Sequence, residues 1–114
     1  MDKVFVYGTL KTGHGNNRLL EDATFVSTGY TNPVYSLYDL GPFPAVKRNG
    51  TGIIYGELYE VTQEEMNSLD WLEGYPNFYN REVITVTCGG EQHKAWMYYM
   101  DNCHGTLVES GNWG

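Results

Sequence analysis

The chain is short of cations, cysteine, proline and long apolar runs, and each shortage excludes something. Its 114 residues hold seven Lys and Arg against fourteen Asp and Glu, a formal net charge of −7. The few cations are scattered and form no basic stripe. Nucleic-acid binding rests on neutralising phosphates, so no nucleic-acid partner is expected. The same balance argues against an anionic membrane surface, and no apolar run approaches the length of a membrane span. The start lacks a charged segment leading into a long apolar core and a cleavage site, so no signal peptide is expected and the location is read as cytoplasmic. There are two cysteines, Cys88 and Cys103. A disulfide between them is conceivable, but their spacing resembles neither a redox motif nor a zinc site. They are expected to be ordinary thiols. His14, His93 and His104 stand apart in sequence, and no metal site is expected. With no repeat, linker or low-complexity segment, the length suits one domain, 1–114, with one core.

What is there is aromatic and glycine-rich: ten Tyr, four Phe, three Trp and fourteen Gly. Aromatic and β-branched residues favour pleated, half-buried surfaces, so a β-rich fold is expected. The opening stretch, Val4-Phe5-Val6-Tyr7-Gly8-Thr9-Leu10, reads as a buried strand over 3–7 that ends in a small-residue loop. Gly8 has no side chain in the way and can take φ > 0, so backbone N–H groups there can approach a ligand. N–H groups at a strand end, followed by a helix start, suit an anion. An ordinary turn at the end of a core strand is the competing reading. Residues 16–20 suggest one helical turn with Asn16 as its cap. Residues 23–29 and 34–40 read as strands, and Gly41-Pro42-Phe43-Pro44-Ala45-Val46 as a stiff apolar loop.

Asn49-Gly50-Thr51-Gly52 is turn chemistry. Residues 53–61 alternate with apolar residues on both faces, as in a central strand covered on both sides. Glu57 on that strand is either a buried carboxylate or a rim residue. Thr62-Gln63-Glu64-Glu65 forms a capping box, and Met66, Leu69 and Leu72 recur at helical spacing, predicting a helix over 63–72. Gly74 is its expected C-cap, and Pro76 stops any continuation. Glu73 thus falls where the last turn ends, facing the negative end of the helix dipole. Within an aromatic pocket, desolvation would raise its pKa further, which suits a proton-transfer group. A solvated glutamate at a frayed end is the plain alternative. Residues 82–87, the Gly89-Gly90 turn and residues 92–100 read as a hairpin. Trp96, Tyr98 and Met100 share one face of its second strand. Trp113 is expected to dock on the body.

Four pieces of the chain, in order, carry a resemblance: the Val4–Lys11 stretch with Gly13 and Asn17; the strand from Gly52 to Tyr59; Leu69-Asp70-Trp71-Leu72-Glu73-Gly74-Tyr75 with Tyr79 and Arg81; and Ala95-Trp96-Met97-Tyr98. Together they resemble the gamma-glutamylcyclotransferase-like family, in particular its small members, over essentially the whole chain. The ending Glu109-Ser110-Gly111-Asn112-Trp113 is similar to the S-G-D-W close of small bacterial members, with Asn112 in place of Asp. The resemblance implies an α+β fold, a small mixed β-barrel flanked by one main helix and short helical turns, with one pocket. It implies that Tyr7, Gly8, Thr9 and Leu10 bind the α-carboxylate of a glutamyl group through backbone N–H groups, that Glu73 is the acid/base, and that the Tyr79 hydroxyl bonds within the pocket. Thr9 stands where many members have Ser and keeps the hydroxyl.

The implied reaction is attack of the α-amino group of a γ-glutamyl amine or peptide on its own γ-carbonyl, releasing 5-oxoproline and a free amine. Such a ring closure needs positioning and proton transfer, and no metal or organic cofactor. The expected partner is a small molecule with a γ-glutamyl or other anionic group; the chain is read as a monomer, with a homodimer possible. Phe43, Tyr75, Phe78 and Trp96 are candidates for the amine side. A non-catalytic module that binds or sequesters a small molecule in the same pocket is the alternative.

Overall fold

A computed structural model describes all residues, 1–114. The strands are β1 Asp2–Val6, β2 Thr24–Thr31, β3 Tyr35–Asp39, β4 Pro44–Arg48, β5 Tyr55–Val61, β6 Asn80–Cys88, β7 Glu91–Tyr99 and β8 Thr106–Leu107, and the α-helix, α1, spans Gln63–Glu73. Five strands close into a barrel in the order β1-β5-β2-β6-β7, while β4-β3-β8 form a separate three-stranded sheet. The barrel is mixed, because β1 runs antiparallel to β5 but parallel to β7. The small mixed barrel with one main helix is therefore the observed architecture. No helix is long and apolar enough to cross a membrane.

The run Val4-Phe5-Val6 explains how the layers are stacked. Side chains alternate along a strand, and here both faces are covered. Phe5 points into the barrel with Leu58, Val86 and Met97, and Val4 and Val6 point out beneath α1 with Tyr59, Val61, Met66 and Leu69. β5 is covered in the same way, with Leu58 in the barrel cluster and Tyr59 and Val61 in the cluster beneath α1, which gives the apolar residues on both of its faces their reason. Met66 and Leu69 are fully buried, each contributing about 1.5–3 kcal/mol of apolar burial. At the β6–β7 turn, Gly89 and Gly90 both have positive φ (59° and 82°), and the hairpin register runs from Cys88↔Glu91 to Asn80↔Tyr99.

Four expectations need correction. The segment Gly41–Val46 is not a loop throughout, since Pro44, Ala45 and Val46 belong to β4 and pair with β3. Proline is tolerated as the first residue of a strand, where its missing N–H costs no ladder bond. The turn after β1 is a 3₁₀ helix, Gly15–Leu20, whose N-cap position is His14. Asn16 caps nothing; its amide donates to Thr9 Oγ1 at 2.9 Å. β6 begins at Asn80 and so takes in Arg81, ahead of the strand expected over 82–87. Finally, Tyr75 and Trp96 do not turn to a pocket: they sandwich the Arg81 guanidinium, 4.4 and 4.2 Å from the ring centres. Both cysteines are free and buried, and no group of three His, Cys, Asp or Glu side chains is placed to hold a metal ion. Trp113 is half-buried against the barrel core and lies 5.3 Å from the His14 ring.

Candidate active site

Three segments meet at one cavity of about 390 Å³: the loop after β1, the Pro42–Pro44 segment leading into β4, and the end of α1 with the turn that follows it. All six residues singled out from the sequence, Tyr7, Gly8, Thr9, Leu10, Glu73 and Tyr79, line it. Asn16, Pro42, Pro44, Leu72 and Tyr98 line it too. Sequence reasoning missed these, because no local motif marks a residue whose role depends on packing across the fold. Of the four amine-side candidates, Phe43 and Phe78 line the cavity.

The loop is shaped by its own hydrogen bonds. Lys11 N–H donates to Gly8 O (3.0 Å) and Asn16 N–H to Thr9 O (3.1 Å), while the N–H groups of Gly8, Thr9 and Leu10 donate to no protein acceptor. Gly8 is required for a reason other than the expected one. It is not among the residues with positive φ; instead a Cβ there would meet Pro44 Cγ at 2.7 Å. The glycine lets the loop pass close to the proline wall of the cavity.

Glu73 is delivered by the helix. The capping box is complete: Thr62 N–H donates to Glu65 Oε1 (2.8 Å) and Glu65 N–H to Thr62 Oγ1 (3.1 Å). The helix stops at Gly74, which takes φ 65° in the left-handed region, and an added Cβ there would meet Phe78 Cβ at 2.9 Å. The outgoing chain returns at once, with Phe78 N–H bonded to Gly74 O (2.8 Å) and Tyr79 N–H to Glu73 O (3.1 Å). The end of α1 is fastened to the barrel by Asp70, which accepts from Arg81 Nε (2.8 Å), Arg81 Nη2 (3.1 Å) and the Tyr98 hydroxyl (2.7 Å).

The Glu73 carboxyl itself has no hydrogen-bond donor and no cation beside it. Burial therefore acts on it uncompensated and raises its pKa from 4.5 to about 7, because removing water disfavours the charged form. The two tyrosines differ from it. Tyr7 OH donates to Tyr98 O (2.9 Å) and accepts from Val46 N–H (3.3 Å). Tyr79 OH donates to Pro44 O at 2.6 Å. Burial raises both phenols, with the Glu73 charge adding to the effect. They remain neutral and hold the proline wall and the loop together. Only a lone pair of Tyr79 is left to face a ligand. The cavity thus joins unpaired N–H donors, an isolated carboxyl poised near neutrality, and aromatic walls. It contains no cationic side chain.

The gamma-glutamyl cyclotransferase, AIG2-like family matches residues 4–114. The chain belongs to that family. A gamma-glutamylcyclotransferase family protein of Citrobacter rodentium is 39% identical over 114 residues, covering 97% of this chain and 94% of the relative. The family protein YtfP of Escherichia coli K12 is 35% identical over 114 residues, covering 97% of this chain and 95% of its own. Among solved structures, an AIG2-like protein from Mus musculus superposes with a TM-score of 0.90 at 25% identity, covering 100% of this chain and 88% of that one.

Proposed function

We propose that this gamma-glutamylcyclotransferase-like enzyme converts a γ-glutamyl amine or γ-glutamyl peptide into 5-oxoproline and the free amine, with Glu73 as acid and base. The observation that carries the proposal is the pairing, in one cavity, of an unpartnered carboxyl with a pKa of about 7 and three backbone N–H groups without acceptors. Donors of that kind fit a carboxylate, and the substrate's α-carboxylate is the group they would hold. Held there, the substrate folds so that its α-amino nitrogen reaches its own γ-carbonyl carbon. The N–C bond forms as a five-membered ring, and the bond to the leaving nitrogen breaks. Because both reactants sit in one molecule, orientation supplies much of the acceleration.

What remains for the protein is proton movement. Ionised Glu73 takes a proton from the α-ammonium, and protonated Glu73 returns it to the departing nitrogen. A carboxyl near neutral pKa suits both steps, while one at its ordinary value would be a poor acid. Phe43, Phe78 and Pro42 form an apolar wall suited to the amine side.

The test is incubation of purified protein with a panel of γ-glutamyl amides and peptides, with 5-oxoproline scored by mass spectrometry. Stoichiometric release of 5-oxoproline and amine is expected. Tight retention of unaltered ligand with no product would replace this proposal with the binding module.

A further inference from the structure

The N–H groups of Gly8, Thr9 and Leu10 are useful only if their loop is held in one geometry, and besides the loop's own hydrogen bonds it is bonded to a residue outside the cavity. β1 and β5 are paired so that Val6, the last residue before the loop, sits opposite Glu57. Glu57 is half-buried at this rim and does not line the cavity. One of its oxygens, Oε1, accepts from Thr12 N–H (2.8 Å), Thr12 Oγ1 (3.2 Å) and the Tyr59 hydroxyl (3.1 Å). The Tyr59 hydroxyl in turn accepts from Asn17 Nδ2 (3.2 Å), whose amide also donates to Leu10 O (2.9 Å). Every bond that the Glu57 side chain makes therefore ends on the loop, or on the tyrosine that bridges to it.

Two further observations define what Glu57 does. The barrel does not need these bonds, since β5 is already paired on both sides, with β1 and β2. Nor does Glu57 act through an ion pair. Lys11 feels its charge, but the Lys11 ammonium donates to Asn112 Oδ1 (3.2 Å) and to Trp113 O. No cation lies within salt-bridge distance of Glu57.

We propose that Glu57 is a positioning residue, which as a hydrogen-bond acceptor and not as a charge anchors Thr12 and so fixes the Gly8–Leu10 N–H groups for the substrate α-carboxylate. The proposal rests on the reading of those N–H groups as the carboxylate site. It sets apart two substitutions that a generic rim role would treat alike. Glutamine keeps an oxygen that can accept from Thr12 N–H; leucine fills the space and accepts nothing.

The experiment compares full-length wild type with Glu57→Gln, Glu57→Leu and Glu57→Ala, the alanine variant carrying the test if leucine fails to fold. Two quantities are read: hydrogen exchange of the loop amides bonded to Gly8 O and Thr9 O, those of Lys11 and Asn16, against the β6–β7 hairpin, and kcat and KM for the best γ-glutamyl amide. Loss of the anchor should speed exchange in the loop alone and raise KM by about tenfold with kcat little changed, as expected when an interaction common to ground and transition state is lost. Glu57→Gln should stay within about twofold of wild type in both, since its acceptor remains. Equal damage from Gln and Leu would overturn the proposal, because charge would then be the active property. So would unchanged loop exchange in Leu and Ala, or faster exchange with KM unchanged. If wild type itself yields no 5-oxoproline, the cyclotransferase reading falls. The exchange pattern then decides the anchor alone: faster loop exchange in Leu and not in Gln upholds it, and any other pattern overturns it.

Discussion

In the proposed reaction, Glu73 is the residue whose surroundings decide the chemistry. Nothing donates to its carboxyl, so burial alone raises the pKa from 4.5 to about 7. That shift has a consequence for stability with a definite sign. The folded state holds the proton more tightly than the unfolded chain, so between pH 4.5 and about 7 it carries more protons. Stability must then fall as pH rises through that window, and stay lower above it. Glu73→Gln has no such proton to lose. Denaturant unfolding of both proteins across the window should show the wild type losing stability relative to the variant as pH rises; parallel curves would contradict the burial of the carboxyl. Part of this was legible beforehand. The six candidate residues do line one cavity, and the helix end is readable from Thr62, Glu65 and Gly74. The bonds of the Tyr7 and Tyr79 hydroxyls were not, because their acceptors, Tyr98 O and Pro44 O, lie 91 and 35 residues away in sequence.

At the scale of elements, α1 acts as an arm whose two ends have different duties. Its start is secured by the capping box, and its end carries Glu73 into the cavity. Thr62→Ala should cost about 1 kcal/mol of stability and leave kcat unchanged, because it loosens the end remote from the chemistry. Gly74→Ala should cost at least as much, about 1 kcal/mol or more, through the left-handed φ, and should also lower kcat, because the Phe78 contact at 2.9 Å forces the cavity wall to shift. Unfolding curves and turnover of the two variants separate these duties; equal effects on kcat would show that they are not distinct. α1 and the β6–β7 hairpin could be read locally, since both are encoded by signals within a few residues. β4 and β8 could not, because β4 exists by pairing with β3, and β8 is only two residues, Thr106–Leu107, added to the far side of β3.

For the molecule as a whole, charge and cavity lining point the same way. The chain carries a formal net charge of −7, and Glu73 is the only acidic or basic side chain lining the cavity apart from the neutral tyrosines. An amine whose own substituent bears a carboxylate meets no cation there. Amides of neutral or cationic amines should therefore have the higher kcat/KM, with the disadvantage of carboxylate-bearing leaving groups shrinking as added salt screens the field. Competition assays with paired substrates would show it, and a consistent preference for carboxylate-bearing leaving groups would contradict it. The β-rich character was readable from β-forming composition and strand patterning, and the barrel only from the family resemblance; its closure by β2–β6 contact at Tyr30↔Thr87 and Thr31↔Val86 is encoded by no local signal. The most direct test of the central claim is the rate of 5-oxoproline formation by wild type and Glu73→Gln from about pH 5 to about pH 9. The wild-type rate should rise through a pH of about 7, while the variant stays near background throughout; a variant that matched the wild-type rate and pH profile would contradict Glu73 as the acid and base.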